Sequence, residues 1–181
     1  MASREWRTLG HDYLHRSPWF TFRLDRVELP DGRVIEYGIM ESGGFASVVP
    51  VTEEGDVVLV RQWRQPLGGF TLELPSGAVD AGEEPREAAG RELFEETGYR
   101  AEGLEHLVSV HTSTGRSNEV CHLFACRAVR DGRGPHPEPT EFIEVVRVPL
   151  REALGMALSG GITDAASVLG LLWVAGCSGP G

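Results

Sequence analysis

Residues Gly77–Tyr99 read GAVDAGEEPREAAGRELFEETGY: a glycine-led loop, a helix and a glycine exit, with glutamates gathered on one turn. Glu92, Glu95 and Glu96 are spaced i, i+3, i+4, so their side chains share one helical face. Three like charges there repel one another, and a helix selected only for stability would avoid them. A divalent cation is the simplest partner that makes the arrangement favourable. The helix is expected to start near Pro85, which suits a first-turn position, with Glu83 and Glu84 favouring its N-terminus. Glu87, Arg91 and Glu95 form an i, i+4 ladder of alternating sign, and Ala89, Leu93 and Phe94 supply the apolar side. Gly98 ends it.

Upstream, Ala46–Val51 and Val57–Trp63 are apolar, β-branched runs flanking the turn Thr52–Asp56, and they read as two strands of a buried sheet. Phe70–Leu74 is a short strand stopped by Pro75. Earlier still, Trp19–Leu29 alternates apolar and polar residues, Pro30-Asp31-Gly32 is a turn, and Val34–Met40 returns, so a hairpin is expected. Residues 1–18 are polar and mixed, and read as poorly ordered at the start. Gly43-Gly44 breaks the pattern, giving an N-terminal hairpin region over 1–44 and a main domain over 45–176. Downstream, Leu104–His111, Val120–Val129 and Phe142–Val148 read as strands, the first two separated by the polar loop Thr112–Asn118, and Asp131–Pro139 reads as a Gly- and Pro-rich loop. Leu150–Leu158 is a short amphipathic helix. A last helix from Thr163 or Asp164 to Ala175 would bury Ala166, Leu169, Leu172 and Trp173. Strands mixed with three helices give an α+β or α/β/α sandwich.

With 181 residues the chain can close one full core. Its formal net charge of −10 disfavours binding along a nucleic-acid backbone or an anionic membrane. A small phosphorylated substrate is still compatible, because a metal and local arginines reverse the potential inside a cleft. Cys121 and Cys126 lie five apart in a strand, on opposite faces, and are not expected to pair. With Cys177 the count is odd and holds no CxxC, which fits core thiols in a reducing compartment. The first residues, MASREWRTLGHDYLHRS, have no apolar signal core, and no run reaches membrane-spanning length. A cytoplasmic protein is expected.

Gly77, five residues, Glu83, seven residues, then Arg91-Glu92-Leu93-Phe94-Glu95-Glu96-Thr97-Gly98 resembles the Nudix box, the signature of hydrolases of nucleoside diphosphates linked to another moiety. Tyr99 departs from it, standing where the pattern wants an aliphatic residue, and reads as a packing position. The resemblance implies the Nudix α/β/α sandwich with a mixed sheet. Val60–Pro66, Glu73–Gly77, the loop from Ser113 through Glu119 and Thr163–Ser167 are similar to the ADP-ribose pyrophosphatase branch. That implies a homodimer in which the N-terminal hairpin is swapped onto the partner's sheet and helps form the adenosine pocket.

The chemistry so implied is water attack on one phosphorus of a pyrophosphate, with two or three Mg²⁺ or Mn²⁺ ions. Glu92 and Glu96 would be ligands, Glu95 shared or bridging, and the Ser76 carbonyl a further ligand. Gly77, Glu83, Arg91 and Gly98 would be structural, with Arg91 orienting Glu95 and Glu83 fixing the loop. The general base would come from the loop before the last strand, where Glu138, Glu141 and Glu144 are candidates and Glu141 aligns best. Arg61 and Arg64 would contact phosphate or ribose hydroxyls, or else be solvated strand ends. Trp19, Phe20 and Trp63 offer a stacking surface for adenine, or core packing. Glu119 would reach the outer metal shell or the ribose; His111 and His122 read as plain strand residues. The expected activity is hydrolysis of ADP-ribose, or a close nucleoside diphosphate sugar, to AMP and ribose 5-phosphate. A GDP-mannose-type pyrophosphatase and a non-catalytic nucleotide sensor are the alternatives, and the intact glutamates speak against the sensor. The unbroken box also argues against isopentenyl diphosphate isomerase, which shares the fold.

Overall fold

A computed structural model of the protein describes residues 4–130, 132–137 and 139–177. The chain divides into two compact units. The first reaches to Gly44 and takes in His111–Val120; the second comprises Phe45–Val110 and the chain from Cys121 on.

In the first unit, β1 (Arg7–Arg16), β2 (Thr21–Glu28) and β3 (Val34–Glu41) form an antiparallel sheet in that order. The expected hairpin is therefore three-stranded, and the N-terminal stretch is a strand. It escapes a periodicity reading for a physical reason. All ten residues of β1 are exposed, so neither face is selected to be apolar, and register shifts interrupt its pairing with β2. Within β2, Asp25 is 3% exposed and is gripped by both arms of the Arg23 fork, at 2.6 and 3.0 Å. The excursion His111–Val120 is tied to the same unit by hydrogen bonds from Tyr37 Oη to the Gly115 carbonyl (2.7 Å) and from the Met40 N–H to the Arg116 carbonyl (2.8 Å).

The second unit is built on a seven-stranded mixed sheet. Its strands are β4 (Phe45–Val51), β5 (Asp56–Arg64), β6 (Gly69–Glu73), β7 (Ser76–Ala78), β8 (Tyr99–His111), β9 (Val120–Arg130) and β10 (Glu144–Pro149). The main order is β10-β5-β4-β9-β8, with β6 on β5 and β7 on β4. β4 runs parallel to β9 and antiparallel to β5 and β7. Along β4, Ala46 and Val48 pack with Ala88, Ala89 and Leu93 of α1 (Pro85–Thr97). Val49 packs on the other side with Ala153 of α2 (Leu150–Ser159) and Leu171 of α3 (Ala165–Cys177). Both faces of the strand are covered, which is why it reads as an unbroken apolar run. The result is an α/β/α sandwich with a mixed sheet.

Four local readings are corrected. β7 is only three residues long and lies inside what reads as the glycine-led loop. The last sheet strand starts at Glu144, leaving Phe142 84% exposed. In α3 the buried positions are Ala166, Ser167, Gly170 and Leu171, whereas Leu172 and Trp173 are 40% and 37% exposed. That helix meets the sheet through small residues: a Cβ on Gly170 would lie 2.9 Å from both Leu74 Cδ1 and Val49 Cγ2. Phe94 sits outside the core cluster, with the Arg133 guanidinium 5.0 Å from its ring centre. Cys121 and Cys126 do belong to different core clusters, and burial pushes the Cys126 thiol up to about 12. Among the described residues, no helix is long and apolar enough to cross a membrane.

Candidate active site

α1 carries the acidic face and is held at both ends. Pro85 occupies its first turn, the Glu87 carboxylate accepts the Glu84 N–H at 3.3 Å, and Gly98 caps it at φ 73° with its N–H on the Phe94 carbonyl. Glu87 thus serves the N-terminus and is no rung of a ladder. Arg91 turns the other way and works as a clamp. Its Nε and Nη2 donate to the two Glu83 carboxylate oxygens at 2.9 Å, Nη2 also donates to the Ala78 carbonyl at 3.0 Å, and Nη1 reaches Glu92 at 2.6 Å and Glu95 at 3.2 Å. Arg91 holds the loop to the helix through Glu83, whose carboxyl it keeps below its ordinary range.

The three glutamates have different surroundings. The Glu96 side chain is buried, and its Oε2 accepts the Ser76 N–H at 3.0 Å. Burial, with the nearby Glu92 and Glu141 charges, pushes its carboxyl up to about 8 against the pull of that hydrogen bond and of Arg64. Glu92 is likewise raised, by burial first and then by Glu95 and Glu141, although Arg91 opposes this. Glu95 is the outermost, 40% exposed. The fourth charge in the group is Glu141, whose repulsion is felt by both Glu92 and Glu96. Gly77 lets them close up: a Cβ there would lie 2.1 Å from the Glu92 carboxyl carbon. Backbone and carboxylate occupy space that any other residue would fill.

Among the described residues, no three His, Cys, Asp or Glu side chains are drawn into a ready-made cage. Oxygens of Glu92 and Glu96 are engaged by Arg91 and by the Ser76 amide. The donor set nevertheless fits a hard divalent cation: oxygen ligands only, on one helix face, under a glycine cradle, in a site that disfavours their unpaired charge.

Around this face, Arg64 is bound to Glu73, which is 4% exposed, at 2.5 to 3.2 Å, and Thr71 Oγ1 donates to the same carboxylate at 2.5 Å. Burial would raise Glu73, but these hydrogen bonds win and its carboxyl sits lower than usual. Arg64 feels the charges of Glu96 and Asp164, and with Thr71, Glu73, Thr163 and Asp164 it lines a cavity of about 340 Å³. Arg61 pairs with Glu144 at 3.0 Å across the β5–β10 register, with its guanidinium 4.2 Å from the Phe70 ring centre. Trp63 is 48% exposed and meets Phe70 edge-on. Glu138 lies outside the described residues. Trp19, Phe20 and Glu119 belong to the first unit, where Trp19 is 83% exposed and Glu119 accepts from Thr112 Oγ1 (2.7 Å) and Ser42 Oγ (3.1 Å). His111 ends β8, and His122 Nδ1 lies 2.9 Å from Ser109 Oγ. Glu73 was not singled out from the sequence. Its signal was a lone carboxylate two positions after Thr71, on the same face of an otherwise apolar strand.

An acidic helix capped by Gly98, clamped to a glycine loop and laid on a mixed sheet is the arrangement of the Nudix fold, and the NUDIX domain model matches residues 44–168. The chain belongs to the Nudix family of hydrolases. Residues 6–40 match the nucleoside diphosphate sugar hydrolase N-terminal domain. The protein is 35% identical over 167 residues to an ADP-ribose pyrophosphatase of Bacillus subtilis (91% of this chain, 90% of that one). It is 31% identical over 177 residues to an ADP-ribose pyrophosphatase of Mycobacterium tuberculosis (96% and 85%). A crystal structure of an ADP compounds hydrolase superposes with a TM-score of 0.82 at 22% identity, over 96% of this chain and 94% of that one, and shares the fold. Within the family, the chain falls in the ADP-ribose pyrophosphatase branch.

Proposed function

We propose that the protein hydrolyses the pyrophosphate bond of ADP-ribose, or a closely related nucleoside diphosphate sugar, to AMP and ribose 5-phosphate. The observation that carries this is the gathering of Glu92 and Glu96 on one face of α1 under the Gly77 cradle, where burial and the Glu141 charge raise both carboxyls. Glu92, Glu96 and the Ser76 carbonyl would hold Mg²⁺ or Mn²⁺, two or three ions in all, with Glu95 shared. A divalent cation there supplies charge neutralisation for the pyrophosphate oxygens and a more acidic water. Glu141 accepts the proton of the attacking water as its oxygen bonds to one phosphorus and the bridging P–O bond breaks. Arg64, set by Glu73, and Arg61 meet the phosphates and ribose hydroxyls. Glu144, tied to Arg61 on the surface, is the lesser candidate for the base. The exposed Trp63 offers a stacking surface to adenine.

We also infer a homodimer joined through the N-terminal sheet, supported by the exposed Trp6, Leu14, Trp19 and Val34. A cytoplasmic location fits the buried, inert Cys126 thiol.

The test is a panel of ADP-ribose, GDP-mannose, FAD, NADH and diadenosine polyphosphates with Mg²⁺ and with Mn²⁺, followed by ³¹P NMR. ADP-ribose is expected to be cleaved best. Glu141→Gln should lower kcat by about 10²-fold or more with little change in unfolding midpoint. Normal turnover in that variant removes Glu141 from the chemistry, and no cleavage of any compound leaves a nucleotide-binding sensor.

A further inference from the structure

α3 does more than cover the sheet. Ser167, fully buried near its start, has both its N–H and its hydroxyl on Asp164 Oδ2, at 2.8 and 2.7 Å. A carboxylate only accepts, so the serine proton points to Asp164 and an Oγ lone pair remains. That lone pair receives the Leu74 N–H at 2.8 Å, from a residue 93 positions earlier. The cap of α3 needs only the contacts to Asp164; the bond to Leu74 adds nothing to the helix.

It does act on the segment Leu74-Pro75-Ser76. Ser167 takes the Leu74 N–H, the Pro75 carbonyl accepts the Val48 N–H at 3.1 Å, Pro75 has no N–H, and the Ser76 N–H goes to Glu96 at 3.0 Å. Immediately before it stands Glu73, which holds Arg64. The backbone that presents the Ser76 carbonyl and orients Glu96 is thus pinned from α3 through one hydroxyl. Gly170 permits this, since a Cβ there would push the helix off Leu74.

We propose that Ser167, oriented by Asp164, is a positioning residue for the metal-binding loop: its hydroxyl fixes Leu74 and so sets Ser76 and Glu96 for the cation. The inference rests on the metal-dependent reading above.

The test is Mn²⁺ binding to the full chain without substrate, by electron paramagnetic resonance, beside kcat and KM for ADP-ribose. Ser167→Ala leaves the buried Leu74 N–H without its acceptor, and should weaken Mn²⁺ binding at least tenfold and lower kcat more than it changes KM. Leu171→Val, which loses a methylene from the same helix without touching that hydrogen bond, should leave Mn²⁺ affinity unchanged. Should Ser167→Ala not fold, Ser167→Cys, somewhat larger and with a weaker acceptor, should move affinity the same way. Wild-type affinity in folded Ser167→Ala or Ser167→Cys overturns the inference, as does an equal loss in Leu171→Val. Wild-type protein that binds no Mn²⁺ overturns the metal reading itself, and this inference with it.

Discussion

At the residue scale the site depends on atoms that are missing as much as on those present. Gly77 is the sharpest case, because a methyl group there collides with the Glu92 carboxylate. Gly77→Ala should fold, since Glu92 can rotate away, yet lose about 10²-fold or more in kcat/KM from the displaced carboxylate, read by steady-state kinetics. Ser47 tests the opposite idea. It is 1% exposed on β4, and its Oγ has no hydrogen-bond partner among the described residues. Ser47→Ala should leave stability unchanged or raise it by about 1 kcal/mol in urea denaturation, because an unmade hydrogen bond is removed. A loss of that size would mean the hydroxyl has a partner, such as an ordered water.

At the scale of the element, α1 was legible because its signals are local. Pro85, Gly98 and the glutamate spacing each constrain a few neighbouring residues. β1 was not, because a strand exposed on both faces carries no alternation. The phase of α3 is less legible because Ser167 and Gly170, which apolar counting overlooks, share its buried face with Ala166 and Leu171. The link from Ser167 to Leu74 spans most of the unit and has no local signature. The charge placed on α1 predicts a pH dependence. With the Glu96 carboxyl at about 8 folded against 4.5 ordinarily, the metal-free native state binds more protons than the unfolded chain between those values. Stability of the metal-free protein should therefore fall as pH rises from about 5 to 8. Glu96→Gln should flatten that fall, and saturating Mn²⁺ should reverse it; a thermal melt series in chelator and in Mn²⁺ reads all three. A flat profile in chelator would mean that Glu96 is ionised without a cation.

At the scale of the molecule, the fold class, the second unit and the β2–β3 hairpin of the first were largely written in the alternation of apolar runs and breaks, whereas the exposed β1 was not. Leu14 and Val34 on that sheet, and Trp6 just before it, are between 50% and 58% exposed, and the proposed dimer would cover them. Light scattering should give twice the 19.7 kDa chain mass, and Leu14→Asp should shift it toward one. A monomeric wild type would remove the dimer from the proposal.

The long reach between Ser167 and Leu74 also bears on how the protein is made. On a ribosome, the chain completes α1 and the Leu74–Ser76 segment long before β9, the parallel neighbour of β4, and longer still before α3. Contacts so distant in sequence close last. If Ser167 acts as proposed, the nascent chain carries its acidic helix without that latch, and the site would become competent for a cation only as folding ends.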